Sequence, residues 1–266
     1  MSDPAESRPP IDPGADREAS PRWRVEVVEE SASTNADVAE RFRAGEREGL
    51  VLVAEHQTAG RGRLGREWVT PARSSLTVSF LLVPGDVPAE RWPWLPLLTG
   101  VAAASAVHRV TGVEVDLKWP NDVLADGHKL GGILLERVED GGAAAAVVGI
   151  GINCTQTIGE LPVPEATSLA IVTGGPVDRS SLLAALVEEL AERYDEWRAG
   201  ADPRAAYLEL CRTPGQEVRV AVPGGEVVGE AVDVDPTGRL VVRTEAGEQR
   251  LGAGDVAHVR DQAEAH

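Results

Sequence analysis

At Thr213-Pro214-Gly215 the hydrophobic pattern of the chain changes. Before that point helical and strand periodicities alternate. After it only short, Val-rich β-type runs remain: Val218–Val222, Val227–Val234, Leu240–Arg243 and Val256–Val259. Pro223-Gly224-Gly225 and Asp235-Pro236-Thr237-Gly238 separate them as turn signals. Short strands with frequent turns predict a small β-barrel. A unit of about 45 residues buries too little surface to stand alone, so it is expected to lean on a neighbour.

The preceding segment reads as α+β, a mixed sheet with helices. Strands are predicted over Arg24–Val28, Leu50–Glu55, Ser75–Val83, Val113–Trp119, Lys129–Val138 and Ala145–Asn153. Ser33-Thr34-Asn35 offers N-cap chemistry before a helix over Ala36–Ala44. Another helix lies within Trp92–Val110, with Pro96 near its start and Gly112 past its end. Leu183, Leu186, Val187, Leu190 and Tyr194 mark one face of a helix over Leu182–Trp197, and a further helix follows Asp202-Pro203. Residues 1–21 are rich in Pro, Asp, Glu and Ser and are expected to be disordered. The expected division is therefore a tail over 1–21, a catalytic domain over 22–214 and a C-terminal domain over 215–262.

The formal net charge of -17 argues against nonspecific binding to nucleic acid or to an anionic membrane. Cys154 and Cys211 form no disulfide framework and have no metal-ligand spacing. No apolar run is long enough to span a membrane, and no signal-peptide pattern opens the chain. A cytoplasmic protein is expected. Of 26 basic residues only Lys118 and Lys129 are lysines. Where arginine serves nearly every cationic position, a lysine suggests a niche for a compact point charge against a carboxylate or phosphate oxygen.

Three motifs carry chemistry. In Gly60-Arg61-Gly62-Arg63-Leu64-Gly65-Arg66-Glu67-Trp68, glycines admit close backbone approach and arginine forks match phosphate and carboxylate oxygens. The loop lacks the lysine and Ser/Thr pair of a P-loop. Its like-charged arginines are expected to keep it mobile until an anion binds; the bland alternative is a flexible loop of solvated charges. In Lys118-Trp119-Pro120-Asn121-Asp122, a turn places Asn121 and Asp122 at a strand end. Asp122 suits an Asx-turn as well as a ligand contact, and Trp119 suits core packing. Lys129-Leu130-Gly131-Gly132 then opens a strand. Gly149-Ile150-Gly151-Ile152-Asn153 offers bare strand backbone to a ligand, but no third glycine leads into a helix as a dinucleotide fingerprint requires. His56 reads as a packed or solvated histidine, and Cys154 as a small buried hydrophobe.

Ser33-Thr34-Asn35, the Gly60–Trp68 loop, Lys118–Asp122, Lys129–Glu136 and Gly149–Asn153 occur in an order that resembles the biotin–protein ligases. The resemblance spans about residues 23–214, and the β-rich tail is similar to that family's SH3-like C-terminal domain. It implies a class II synthetase-like biotin/lipoate ligase fold. It also implies ATP-dependent formation of biotinyl-5′-AMP, then transfer of biotin to a lysine of a biotin carboxyl carrier domain of an acyl-CoA carboxylase. Mg²⁺ is expected with ATP. Lys129 and Arg63 take the catalytic roles. Ser33, Thr34, Asn35, Gln57, Gly60, Arg61, Arg63, Lys129, Gly132 and Ile133 are implied at biotin. Arg63, Arg66, Trp68, Asn121, Lys129 and Asn153 are implied at ATP, with Trp68 as a lid or adenine neighbour. Bifunctional members carry an N-terminal DNA-binding module, whereas only the short tail precedes the catalytic segment here. Repressor function and nucleic-acid binding are expected to be absent, and the protein is expected to be a monomer or weak homodimer. A lipoate or octanoyl ligase would share the fold but is expected to lack such an arginine loop.

Overall fold

The structure, a computed structural model, describes residues 8–12, 14, 22–252 and 254–258. The catalytic segment runs β1 (Arg24–Ser31), α1 (Thr34–Arg43), β2 (Leu50–Gln57), β3 (Ser75–Leu82), α2 (Trp94–Thr111), β4 (Asp116–Lys118), β5 (Asp122–Ala125), β6 (His128–Asp140) and β7 (Ala143–Asn153). Helices α3 (Leu169–Thr173), α4 (Arg179–Arg198) and α5 (Arg204–Leu210) follow. The strands form one seven-stranded sheet in the order β1-β2-β3-β7-β6-β5-β4. Only β1–β2 is parallel; the other pairings are antiparallel.

Helices cover both faces of the sheet. On one face Val51, Val53, Val78, Phe80, Val148 and Ile150 pack in a core with α2 and α4. On the other, Leu50, Leu52, Leu81 and Val147 pack against Val38, Ala39 and Phe42 of α1. Every residue of β3 is consequently buried, which explains its nearly continuous apolar run. Helix α1 has ten residues and stops short along its face. The uncovered part of that face is where the site lies.

The C-terminal strands β8 (Glu217–Val222), β9 (Gly225–Val234), β10 (Leu240–Thr244), β11 (Gly247–Leu251) and β12 (Asp255–His258) form an antiparallel sheet in the order β11-β10-β9-β8-β12. The sheet leans on the catalytic segment as expected. The Trp94 and Trp119 indole N–H groups donate to Pro236 O (2.8 Å) and Gly238 O (3.0 Å). Trp119 is thus a core residue, 1% exposed, that also joins the two segments.

Several expectations are corrected. The predicted strand over Val113–Trp119 shrinks to β4, and β5 and β11 are additional. Ser33 occupies the N-cap of α1 but its side chain makes no capping bond. The tail expected to be disordered is docked where it is described: Arg8 is 5% exposed and Ile11 4%, and Ile11 belongs to the main core. The rest of that segment, like residues 259–262, lies outside the described residues.

Candidate functional site

Strand register builds the floor of the site. Residues directly opposite across a sheet share a face. Gly132 opposes Gly151, and Gly151 opposes Thr77. Leu134, Gly149 and Ser79 form the next row in the same way. These rows continue the α1 face past the end of the helix, and their small side chains leave a trough over bare backbone. Above it opens a cavity of about 290 Å³. Trp68 lies on the floor: a Cβ on Gly151 would sit 2.5 Å from its ring.

The start of α1 forms one wall. Backbone N–H and Oγ1 of Thr34 both donate to Gln57 Oε1 at 2.8 and 3.0 Å. Ser79 Oγ lies 2.7 Å from both Thr34 Oγ1 and Asn35 Oδ1. Asn35 Nδ2 donates to Glu136 Oε2 (2.8 Å) and to Leu134 O. A Cβ at position 149 would strike Asn35 Oδ1, so the placement of Asn35 requires glycine there. Ser33, Thr34, Asn35 and Gln57 are all buried. Buried polar groups tied into one network hold fixed directions, as recognition of a polar ligand requires.

The arginine loop forms the roof. Its backbone forms a hairpin. Trp68 N–H donates to Gly60 O (2.9 Å), Gly62 N–H to Arg66 O (2.7 Å), and Arg61 pairs with Glu67. Arg63 Nη1 donates to Asn121 Oδ1 (3.1 Å), and Arg66 Nη2 pairs with Asp255 of β12 (3.0 Å). Of the three arginine side chains, Arg66 is paired with a carboxylate and Arg63 is held by a neutral amide. Burial pushes the Arg63 guanidinium below the usual arginine range, and Arg66 adds to the effect against the opposing pull of Asp255 and Asp122. An arginine so placed remains a cation at neutral pH and is poorly solvated, which strengthens its attraction for an anion.

Lys129 enters from the start of β6. Its Nζ pairs with Asp122 Oδ1 at 2.5 Å, and both side chains are partly buried. Asn121, beside Asp122, donates from Nδ2 to Ile133 O (3.1 Å) and links the β4–β5 turn to the floor strand. Lys118 is not among the residues lining the cavity.

The segment after β7 closes the last side. Backbone N–H of Lys129 donates to Glu165 O (2.8 Å), and Thr167 N–H to Lys129 O (2.9 Å). Pro162, Val163 and Ala166 thereby reach the cavity wall. Asn153 lines the cavity too, but both ends of its amide hold this segment: Nδ2 donates to Thr167 O (2.9 Å) and Oδ1 accepts from Gln156 Nε2 (2.9 Å).

Ser33, Thr34, Asn35, Gln57, Arg61, Arg63, Arg66, Trp68, Asn121, Lys129, Gly132, Ile133 and Asn153 therefore meet around one cavity. Gly60 does not line it; its carbonyl closes the hairpin instead. Sequence reading missed Thr77, Pro162, Val163 and Ala166. Thr77 was recoverable as a polar residue inside an apolar strand; the other three carry no local signal. Among the described residues no cluster of three or more His, Cys, Asp or Glu side chains is placed to hold a metal.

Residues 27–153 match the model of the biotin/lipoate A/B protein ligase family, and residues 213–259 match that of the biotin protein ligase C-terminal domain. A biotin–[acetyl-CoA-carboxylase] ligase of Mycobacterium tuberculosis is 42% identical over 98% of this chain and 100% of its own length. The biotin protein ligase of Aquifex aeolicus, solved with biotin and ATP, superposes with a TM-score of 0.76 at 30% identity, covering 88% of this chain and 97% of its own. The Leishmania major enzyme, solved with biotinyl-5-AMP, gives a TM-score of 0.55 at 25% identity, over 86% of this chain and 98% of its own. With its ordered motifs gathered around one cavity and this likeness along nearly its whole length, the chain belongs to the biotin protein ligase family.

Proposed function

We propose that this pocket joins biotin to ATP and then to a carrier lysine, acting as a biotin–[acetyl-CoA-carboxylase] ligase. One observation carries the residue-level reading. The cavity has a buried hydrogen-bonding wall at Thr34, Asn35 and Gln57, and a cationic side at Arg61, Arg63 and Lys129, across a glycine floor. A ligand with a polar neutral head, an apolar body and a carboxylate matches that order. The ureido head is assigned to Ser33, Thr34, Asn35 and Gln57, and the ring and chain to the floor at Gly132 and Ile133. The nucleotide is assigned to the side bounded by Trp68, Asn121, Asn153, Arg66 and Pro162–Ala166.

In the first step a biotin carboxylate oxygen attacks the α-phosphorus of ATP. An O–P bond forms, the bond to pyrophosphate breaks, and biotinyl-5′-AMP results. The nucleophile is already an anion, so no general base is required. The difficulty is to bring two anions together. Arg63 and Lys129 offset their repulsion and stabilise the charge that develops. In the second step the neutral amine of a carrier lysine attacks the acyl carbon. A C–N bond forms, AMP leaves with the C–O electron pair, and the amine loses a proton. A hairpin roof that keeps water from the anhydride favours transfer over hydrolysis.

Mg²⁺ remains part of the proposal only as a companion of the nucleotide. Asp122 is already paired with Lys129, and among the described residues no cluster of three or more His, Cys, Asp or Glu side chains is placed to hold a metal. The residues thus offer no dedicated cage, and magnesium held chiefly by phosphates and water needs none. The proposal extends to a carboxyl carrier domain of an acyl-CoA carboxylase as acceptor, a monomer or weak homodimer, and segments divided near residue 214. A cytoplasmic setting belongs to it as well: Cys154 and Cys211 are free and buried, and no described helix is long and apolar enough to cross a membrane. The test is ATP–pyrophosphate exchange, expected with biotin and not with lipoate. Exchange with lipoate alone would favour the sister activity of the fold.

A further inference from the structure

Five residues ahead of the sheet reach the back of the site. Arg8 Nη2 pairs with Glu160 Oε2 at 2.7 Å and donates to Thr155 O at 3.1 Å. Pro9 O accepts from Arg179 Nη2 (2.7 Å), and Ile11 N–H donates to Glu55 Oε1 (2.5 Å). Asp12 N–H donates to Ser180 Oγ (3.0 Å). Arg179 and Glu55 form an ion pair at 2.7 Å, with side chains 3% and 2% exposed. The segment is thus a strap with a charged anchor, an apolar anchor and backbone bonds to two buried charges. A charge as buried as that of Arg8 is placed there only with a partner.

Glu160 is the point where the strap acts. The same Oε2 accepts from Thr157 N–H (2.8 Å) and Thr157 Oγ1 (2.9 Å), closing the short turn Ile158–Glu160. Arg8 therefore grips the outer side of the segment between β7 and α3 at Thr155 and Glu160. Lys129 grips its inner side through backbone bonds at Glu165 and Thr167. Pro162 and Val163, which line the cavity, lie between the two grips.

We propose that Arg8 is a positioning residue for the nucleotide side of the pocket. The strap Arg8–Asp12 sets the segment Thr155–Ala166. Arg8 touches no reacting atom. This inference rests on the assignment of that wall to ATP. It separates the two substrates, because Arg8's own partners Thr155 and Glu160 bond to none of Thr34, Asn35 and Gln57 on the biotin wall, and the strap's bond to β2, made by the Ile11 backbone at Glu55, is left in place when Arg8 is replaced.

The test uses full-length protein and three variants. Arg8→Ala is expected to raise KM for ATP about fivefold or more in biotin-dependent pyrophosphate exchange, with KM for biotin within about twofold of wild type. Arg8→Lys, which keeps the charge toward Glu160, is expected to recover most of the loss. Ile11→Ala, which removes the apolar anchor alone, is expected to lower Tm while leaving the ratio of the two KM values unchanged. Hydrogen exchange at amides 155–166 is expected to quicken in Arg8→Ala. An unchanged KM for ATP, an equal rise in both KM values, or unchanged exchange over 155–166 would each overturn the proposal. Failure of wild type to show biotin-dependent exchange would instead overturn the underlying activity, while amide exchange would still report whether the strap holds the segment.

Discussion

Lys129 Nζ lies 2.5 Å from Asp122 Oδ1, and the carboxylate holds one of the chain's two lysines at the cationic side of the pocket. The pair is about a third exposed at the lysine and a quarter at the aspartate, so its contribution to stability is small, about 0–1 kcal/mol. Lys129→Ala is therefore expected to fold with nearly unchanged Tm and to lose biotinyl-AMP synthesis by roughly 10²-fold or more, as for removal of one preorganised charge donor. Lys129→Arg is expected to be poor as well, because a planar fork does not fit a point-charge niche beside Asp122. A single-turnover assay of adenylate formation decides. Near wild-type rates in the arginine variant would remove Lys129 from the catalytic step.

Gly151 and Trp68 supply a second test. The indole lies on strand backbone where a Cβ would sit 2.5 Å from the ring, closer than ordinary van der Waals contact allows. Gly151→Ala is expected to lift Trp68 from the floor and to weaken ATP binding measured by calorimetry by about tenfold, equivalent to about 1.4 kcal/mol. Global stability is expected to fall by much less than for a core substitution, since the displaced ring sits at the end of a surface hairpin. Unchanged affinity would show that Trp68 does not shape the bound state.

The site was legible in sequence where a short stretch carries its own chemistry. The Gly60–Trp68 loop and the stretch around Lys129 declare themselves by glycine spacing and by the scarcity of lysine. Pro162, Val163 and Ala166 do not, because their place depends on backbone bonds to Lys129 rather than on their type. The strap was hidden for another reason. Average composition marks residues 1–21 as unable to build a core, but Arg8 and Ile11 join a core built by others, with Thr155 lying 147 positions from Arg8. β11 went unseen because Gly247-Glu248-Gln249-Arg250-Leu251 has almost no apolar content, and β5 because it has only four residues. Helix α4 was legible since burial of Leu183, Leu186, Val187, Leu190 and Tyr194 follows a 3.6-residue period.

The Glu55–Arg179 pair gives a stability prediction. Both side chains are essentially buried, so removing one leaves the other as an uncompensated charge. Glu55→Ala is expected to destabilise the protein by about 3–5 kcal/mol. Chemical denaturation is the measurement. A loss below about 1 kcal/mol would mean that Arg179 finds other partners; its bonds to Ser75 O and Pro9 O are the alternatives at hand.

Asp235 links acid stability to the contact between the two segments. Burial alone would raise its pKa. Hydrogen bonds from Thr237 and from the backbone and side chain of Arg239 outweigh that effect and hold the carboxyl below the usual range. These bonds shape the turn whose carbonyls at Pro236 and Gly238 receive the indoles of Trp94 and Trp119. The folded-state pKa is depressed, so the folded protein binds this proton less readily than the unfolded chain. The stabilisation is then present above the unfolded value of about 3.8 and is lost as pH falls through that value toward the folded one. Asp235→Asn is expected to lower stability at pH 7 by about 1–2 kcal/mol, since an amide replaces a carboxylate that accepts charge-assisted bonds. The difference from wild type is expected to narrow below pH 4. Urea melts of both proteins across pH 3 to 7 measure it. A gap that stays constant down to pH 3 would show that Asp235 is not the group whose protonation loosens the turn.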